Sequence, residues 1–175
     1  MKSLGFLFIF FTVSQDCIAQ TLDSIYTPNG SKIYVSINPE LTPAIVAAVN
    51  QFADSAYPNA TPISDASNVY NCHAYSFYMK EGGTDSVWVN AYTPSEYWED
   101  GSYTETTTPR CYSKVVYPNG GHSAICTTVP DQFISKWGAL PLMQHSKDYS
   151  PPYDTTGIKY YNRNYSISGP NKMCI

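Results

Sequence analysis

The stretch Asn68–Lys80, NVYNCHAYSFYMK, sets a cysteine between Asn71 and His73 where a helix is expected to begin. A thiol in that position has two uses. It can be half of a disulfide, or it can be a nucleophile whose thiolate form is favoured by the helix N-terminus, by ~0.3–1 kcal/mol, and further by a neighbouring imidazolium. The chain has three histidines, His73, His122 and His145. His122 follows Gly120-Gly121 and opens a predicted strand. A Cys on a helix and a His on a distant strand are the minimum for thiol attack on a carbonyl, with the imidazole protonating the leaving amine. The amides of residues 72 and 73 could then bind the developing oxyanion. His73 is a poor base for its neighbour, because adjacent helical side chains diverge by about 100°, and it reads as a structural histidine. His145, in LMQHSKDY, reads as structural or as a rim or orienting group.

The disulfide alternative rests on the cysteine count. Of five cysteines, Cys17 falls in an apparent leader. Cys72, Cys111, Cys126 and Cys174 remain, enough for two bridges with three connectivities. Cys111 and Cys126 sit on opposite arms of the KVVYPNGGHSAI hairpin, so a cross-strand pair between them is geometrically reasonable. A lone Cys-His dipeptide without a second spaced pair is not a zinc site. No phosphate loop or dinucleotide fingerprint occurs, and no metal or cofactor is expected.

The elements that must position these groups can be read from pattern. Residues 1–19 have a single early Lys, a short apolar run and Cys17-Ile-Ala19 before a cleavage point. They read as a secretory signal peptide, leaving no transmembrane segment after cleavage. Asn29-Gly30 lies between β-prone runs and predicts a hairpin or a loop before a strand. Leu41–Ala56 predicts a helix with Thr42 as N-cap and Pro43 at its first position, burying Ile45, Val46, Val49, Phe52 and Ala53. A second helix is predicted over about 72–80, capped by Asn71 and ended by Gly82-Gly83. Strands are predicted at Ser86–Asn90, Lys114–Tyr117, His122–Cys126 and Gln132–Trp137, and an aromatic turn at Tyr97–Tyr103. Together they predict one α+β domain with helices on a small antiparallel sheet. With 16 Tyr, few charges, a net charge of −4 and no basic cluster, nothing favours a nucleic-acid partner. Oligomeric state is not readable.

The motifs YNCHAYSFY, DGSY, GHSAI, SKWG and MQHSKDYSPPY, over residues 64–153, resemble secreted Bacteroidetes proteins. Their pattern is similar to papain-like cysteine amidases and peptidases of the NlpC/P60 and CHAP kind. The resemblance implies a papain-like fold over residues 20–160 and cleavage of amide bonds in peptides or cell-wall peptidoglycan, outside the cell or in the periplasm. Cys72 matches the nucleophile and His122 the base. The third, orienting residue departs from the pattern. QFISKWG offers Ser135, whose hydroxyl can accept an imidazole N–H, with Gln132 and His145 as substitutes. Lys136 could stabilise negative charge or lie along the sheet edge. Tyr97, Trp98, Tyr103 and Trp137, with Tyr92, Tyr149 and Tyr153, could rim a substrate cleft, or they could be packing. The tail, 161–175, resembles a linker or the opening strand of an Ig-like module, which would assign Cys174 to a second domain and leave Cys72 free. Against the hydrolase stand two alternatives: a non-catalytic module on the same fold that binds wall polymer or a protein, and a disulfide-stapled structural domain.

Overall fold

The computed structural model describes residues 21–83, 86–90, 94–150 and 154–165. The leader, the tail from residue 166, Cys17, Cys174, Tyr92 and Tyr153 lie outside them. The described chain is α+β and mostly antiparallel sheet. β1 (Thr21–Tyr26) and β2 (Lys32–Ile37) form the expected hairpin around Gly30, whose φ of 95° suits a residue without Cβ. α1 spans Pro43–Ala56, with Thr42 Oγ accepting from the Ile45 amide. β3 (Thr61–Ser64) precedes a helical segment, and β4 is Trp88–Val89. The short α2 (Glu96–Glu99) precedes β5 (Tyr103–Thr106), β6 (Lys114–Val116), β7 (Ser123–Cys126), β8 (Gln132–Lys136), β9 (Leu142–Ser146) and β10 (Lys159–Arg163).

The main sheet is larger than expected, seven strands in the order β3-β9-β8-β7-β6-β10-β5; β1, β2 and β4 form a second sheet. β10 slots between β5 and β6, a pairing across some fifty residues that no local pattern announces. Alternation along β7 divides the main sheet into two faces. Ile125 packs with Tyr75 and Leu142, under the helical segment. Ala124 and Cys126 pack with Val115, Tyr117 and Phe133 on the other face. A third cluster of Ile25, Ile33, Val35, Phe77, Tyr97, Tyr103 and Tyr161 joins the small sheet to the helical segment, α2 and the β5–β10 edge.

The predicted α-helix over 72–80 differs in kind. After Cys72 and His73 the chain runs as a π-helix, Ala74–Tyr78, then a 3₁₀ turn, Met79–Glu81. Its start is fixed as expected by Asn71, whose Oδ1 accepts from the Ala74 amide at 3.0 Å. The same side chain holds β4: Oδ1 also accepts from the Val89 amide and Nδ2 donates to the Val89 carbonyl. The far end is anchored by Glu81, whose carboxylate meets Lys114 Nζ and Arg163 Nη1, each at 2.7 Å. Asn71→Ala removes a cap worth ~1 kcal/mol and orphans two buried groups of Val89. We expect a loss of about 2–3 kcal/mol, read as a lowered urea midpoint with an unchanged denaturant slope.

α1 corrects the expected stripe. Only Ala53 is buried, against Trp137 and Met143. Ile45 and Phe52 are about half exposed, at 47% and 54%.

Candidate functional site

Cys72 is a free thiol, 5% exposed, so it is not half of a disulfide, and a domain without free thiols, as the stapled reading expects, is not what the chain forms. It sits where two strands part. β7 pairs with β6 down to Val116–Ser123, but with β8 only at Ile125–Ile134 and Cys126–Phe133. The amide and hydroxyl of Ser123 and the amides of His73 and Cys72 itself pull the Cys72 pKa down. These donors favour the thiolate. Burial opposes them and prevails, so the thiol is pushed up to about 11 and is neutral at pH 7.

Alternation along the strand turns the His122 ring to the Ala124–Cys126 face and the Ser123 side chain to the face of the helical segment, where it meets His73 and Ser76. The His122 carbonyl accepts from the Tyr117 amide, and its ring lies 4.8 Å from the Tyr117 ring, at 60°. It is fully buried. Burial first, then the proximity of His73 and His145, hold its pKa well below the ordinary histidine value. Both groups are neutral at pH 7, so no thiolate–imidazolium pair is preformed.

The third position is resolved differently from the sequence expectation. The Ser135 hydroxyl lies 2.8 Å from His145 Nε2 and accepts from Trp137 Nε1–H at 2.8 Å. His145 Nδ1 faces the Ser146 carbonyl at 2.9 Å, so Nδ1 carries the proton and Ser135 donates to Nε2. Its one proton is therefore committed to His145 rather than orienting His122. Gln132 is at the wrong end of β8, beyond the Cys126–Phe133 pair. His145 is the one of the three within electrostatic reach of His122.

Lys136 is neither at a sheet edge nor available to a substrate. It is fully buried, and Nζ donates to the carbonyls of Ser67, Gly138 and Leu140 at 2.7, 2.6 and 2.6 Å while lying over the Tyr70 ring. All three ammonium protons are used. Burial pushes it down to about 7 against the pull of Glu40 and Cys72. The expected aromatic rim is likewise corrected. Tyr97, Tyr103 and Trp137 are core residues, at 0%, 2% and 2% exposure. Phe77 stacks on Tyr97 at 4.7 Å and meets Tyr103 edge-on. Trp98 is half-buried, stacked on Tyr161 at 4.5 Å. Tyr149 is half-buried against Trp137.

The Cys111–Cys126 pair expected from the hairpin is not formed. The Tyr112 amide donates to the Cys126 carbonyl and the Cys126 amide to the Ser113 carbonyl, so Cys126 lies across from Ser113. Tyr112, at φ 65°, turns the chain before Cys111 can reach that rung. Cys126 is a free buried thiol, pushed up to about 12 by burial. Cys111 is disulfide-bonded, but not to Cys126. A cleft of about 480 Å³ flanks Cys126, lined among others by Arg110, Val129, Asp131, Phe133 and Tyr160. It lies at the end of β7 away from Cys72.

Ser123 is the residue that sequence reasoning missed, and it partners His73, which was read as a structural histidine and is buried as one. His73 Nδ1 lies 2.9 Å from Ser123 Oγ, which also reaches Ser76 Oγ at 3.3 Å. The signal was present: a polar Ser between His122 and the apolar AIC run, on a strand buried on both faces.

Among the described residues no cluster of three or more His, Cys, Asp or Glu is placed to hold a metal ion, and no helix is long and apolar enough to cross a membrane. Comparison of the chain with family models, curated proteins and solved structures finds no match. The reading of the site therefore stands on its geometry.

Proposed function

We propose that the protein is a secreted cysteine hydrolase of papain-like fold that cleaves amide or peptide bonds, with cell-wall peptidoglycan as the substrate class. The observation that supports this reading is the Cys72 sulfur itself: unpaired, buried, and drawn toward its thiolate by the neighbouring Ser123 and by the amides of His73 and Cys72. Cys72 attacks the carbonyl carbon as His122 takes the thiol proton. The same proton passes to the leaving amine, and water hydrolyses the thioester. The amides of Cys72 and His73 serve as the oxyanion donors in this reading. Because Cys72 is nearly enclosed, substrate entry requires displacement of the groups that cover it.

A second reading, a non-catalytic module binding wall polymer or a protein on the same fold, is favoured by two observations. The thiol is held neutral by burial, and the Ser135 hydroxyl serves His145. The two readings separate when purified protein is incubated with insoluble peptidoglycan. Release of new amino groups into the supernatant supports the hydrolase. Co-sedimentation without release supports the binding module.

A further inference from the structure

We propose that the cleft beside Cys126 binds a short peptide with both termini free, Asp131 taking its ammonium, Arg110 its carboxylate and the cleft floor an apolar side chain. The site is separate from Cys72 and goes beyond the hydrolase reading. At about 480 Å³ the cleft falls within the roughly 300–1,000 Å³ of small-molecule sites, and it shares their make-up of apolar surface with a few polar groups. Cys126, Phe133 and Tyr160 supply the floor. The first two are buried, and the Tyr160 ring stands 6.2 Å from that of Phe133, edge-on. The free thiol counts here as small apolar surface.

Arg110 and Asp131 are the two charged residues that line the cleft. They have opposite signs and come from different loops, yet they do not pair, and among the described residues neither enters any ion pair. Arg110 Nη2 reaches the Arg163 carbonyl only at 3.5 Å, long for a hydrogen bond. Asp131 lies near Lys147, but that ammonium is held by Asp148 at 3.0 Å. A cation and an anion kept apart over an apolar floor match a zwitterion with an apolar body. A ligand of one sign would leave one of the two without a counter-charge. Thr128 and Gln132, on the same wall as Asp131, offer a hydroxyl and an amide to a peptide bond. Both charged residues stand on fixed backbone. The Arg110 amide donates to Ser113 Oγ at 2.8 Å, and its carbonyl accepts from the Ser113 amide at 2.9 Å. Asp131 takes a left-handed conformation, φ 58°, which aspartate tolerates, and its carbonyl accepts from the Lys147 amide at 2.9 Å. Charges placed in advance lose less free energy to ordering when a ligand binds.

The test titrates the ¹⁵N-labelled protein with the dipeptide alanyl-phenylalanine. The amide resonances of Arg110–Ser113 and of Cys126–Phe133 should shift, while those of Cys72–Ser76 stay in place. Acetylating the dipeptide's amine, or amidating its carboxylate, should weaken binding about tenfold in each case. Arg110→Gln should weaken the free dipeptide about as much and the amidated one no further. Asp131→Asn, which keeps a residue suited to positive φ, should behave likewise toward the acetylated one. An absence of shifts at saturating dipeptide overturns the proposal. So do shifts centred on Cys72, or equal affinities for free and capped dipeptides, a comparison that needs no change in the protein. The readout is binding and not turnover, so a chain that hydrolyses nothing can still pass, and failure here leaves the hydrolase reading untouched.

Discussion

Replacing Cys72 by alanine is expected to abolish amide hydrolysis, by a factor of ~10⁴ or more, while leaving the fold in place. The change removes one sulfur from a site where no disulfide is lost. What is left is a small cavity, costing about 1–2 kcal/mol, and a Ser123 hydroxyl that retains His73 and Ser76 as partners. The thermal midpoint should therefore move by only a few degrees. Hydrolysis should vanish because the remaining groups, His122 and the amides, cannot form an acyl intermediate. His122→Ala should lower the rate by a smaller factor, ~10²–10⁴, as expected for a general base. Release of amino groups from peptidoglycan, followed for wild type and both variants, checks the order. Equal rates for wild type and Cys72→Ala would remove the nucleophile from the mechanism.

The second large effect is on stability in acid. Three histidines are buried neutral. His73 is lowered to about 4 by burial, His122 lies well below the ordinary value, and His145 is lowered by burial against the Ser146 and Tyr149 carbonyls. An unfolded chain binds a proton on each of them below pH ~6.5 while the native protein does not. Stability is therefore fully present above that pH and is lost as pH falls toward the folded-state values. For His73 alone, 6.5 to about 4 corresponds to about 3 kcal/mol. With all three titrating, the slope approaches ~4 kcal/mol per pH unit, a large share of the 5–15 kcal/mol typical of a domain. Below pH 4.5 Glu81, whose carboxylate is stabilised by Lys114 and Arg163 after its burial cost, adds to the loss. Urea unfolding between pH 7.5 and 4.5 should show a steep fall. His73→Gln should reduce its slope by about one proton, and a flat profile would contradict the neutral burial of these rings.

How much of this was readable in the chain depended on the range of the interaction. Asn71 as a helix cap, Thr42-Pro43 at the start of α1 and the β1–β2 and β6–β7 hairpins are local rules, and each holds. The pairing of Cys111 with Cys126 failed over one residue, because Tyr112 takes a left-handed conformation that no residue preference predicts for tyrosine. The aromatic rim failed for a different reason. Tyr97, Tyr103 and Trp137 are amphipathic, so pattern alone cannot say whether a ring faces solvent or core. For Tyr97 and Tyr103 the decision was made by β10 and the small sheet closing over them, and for Trp137 by Ala53 of α1 and Met143. The apolar stripe of α1 was visible as a periodicity, yet only Ala53 of it is buried, while Phe52 meets Tyr57 edge-on and stays half exposed. Lys136 was misread because a lone lysine in a strand normally reaches for water, and the carbonyls that receive it come from residues near in space but as far off in the chain as Ser67.

The side chain of Lys136 works as a single rivet through two stretches of backbone. It fastens the Ser67 carbonyl, a few residues ahead of Cys72, to the Gly138–Leu140 turn that follows β8. Neither segment can loosen without stranding a cation in a dry interior, so the two should open together. Amide deuterium uptake is then expected to rise in step for residues 67–71 and 138–141 under mild denaturant, and any breathing motion that uncovers the thiol would be paced by that one joint.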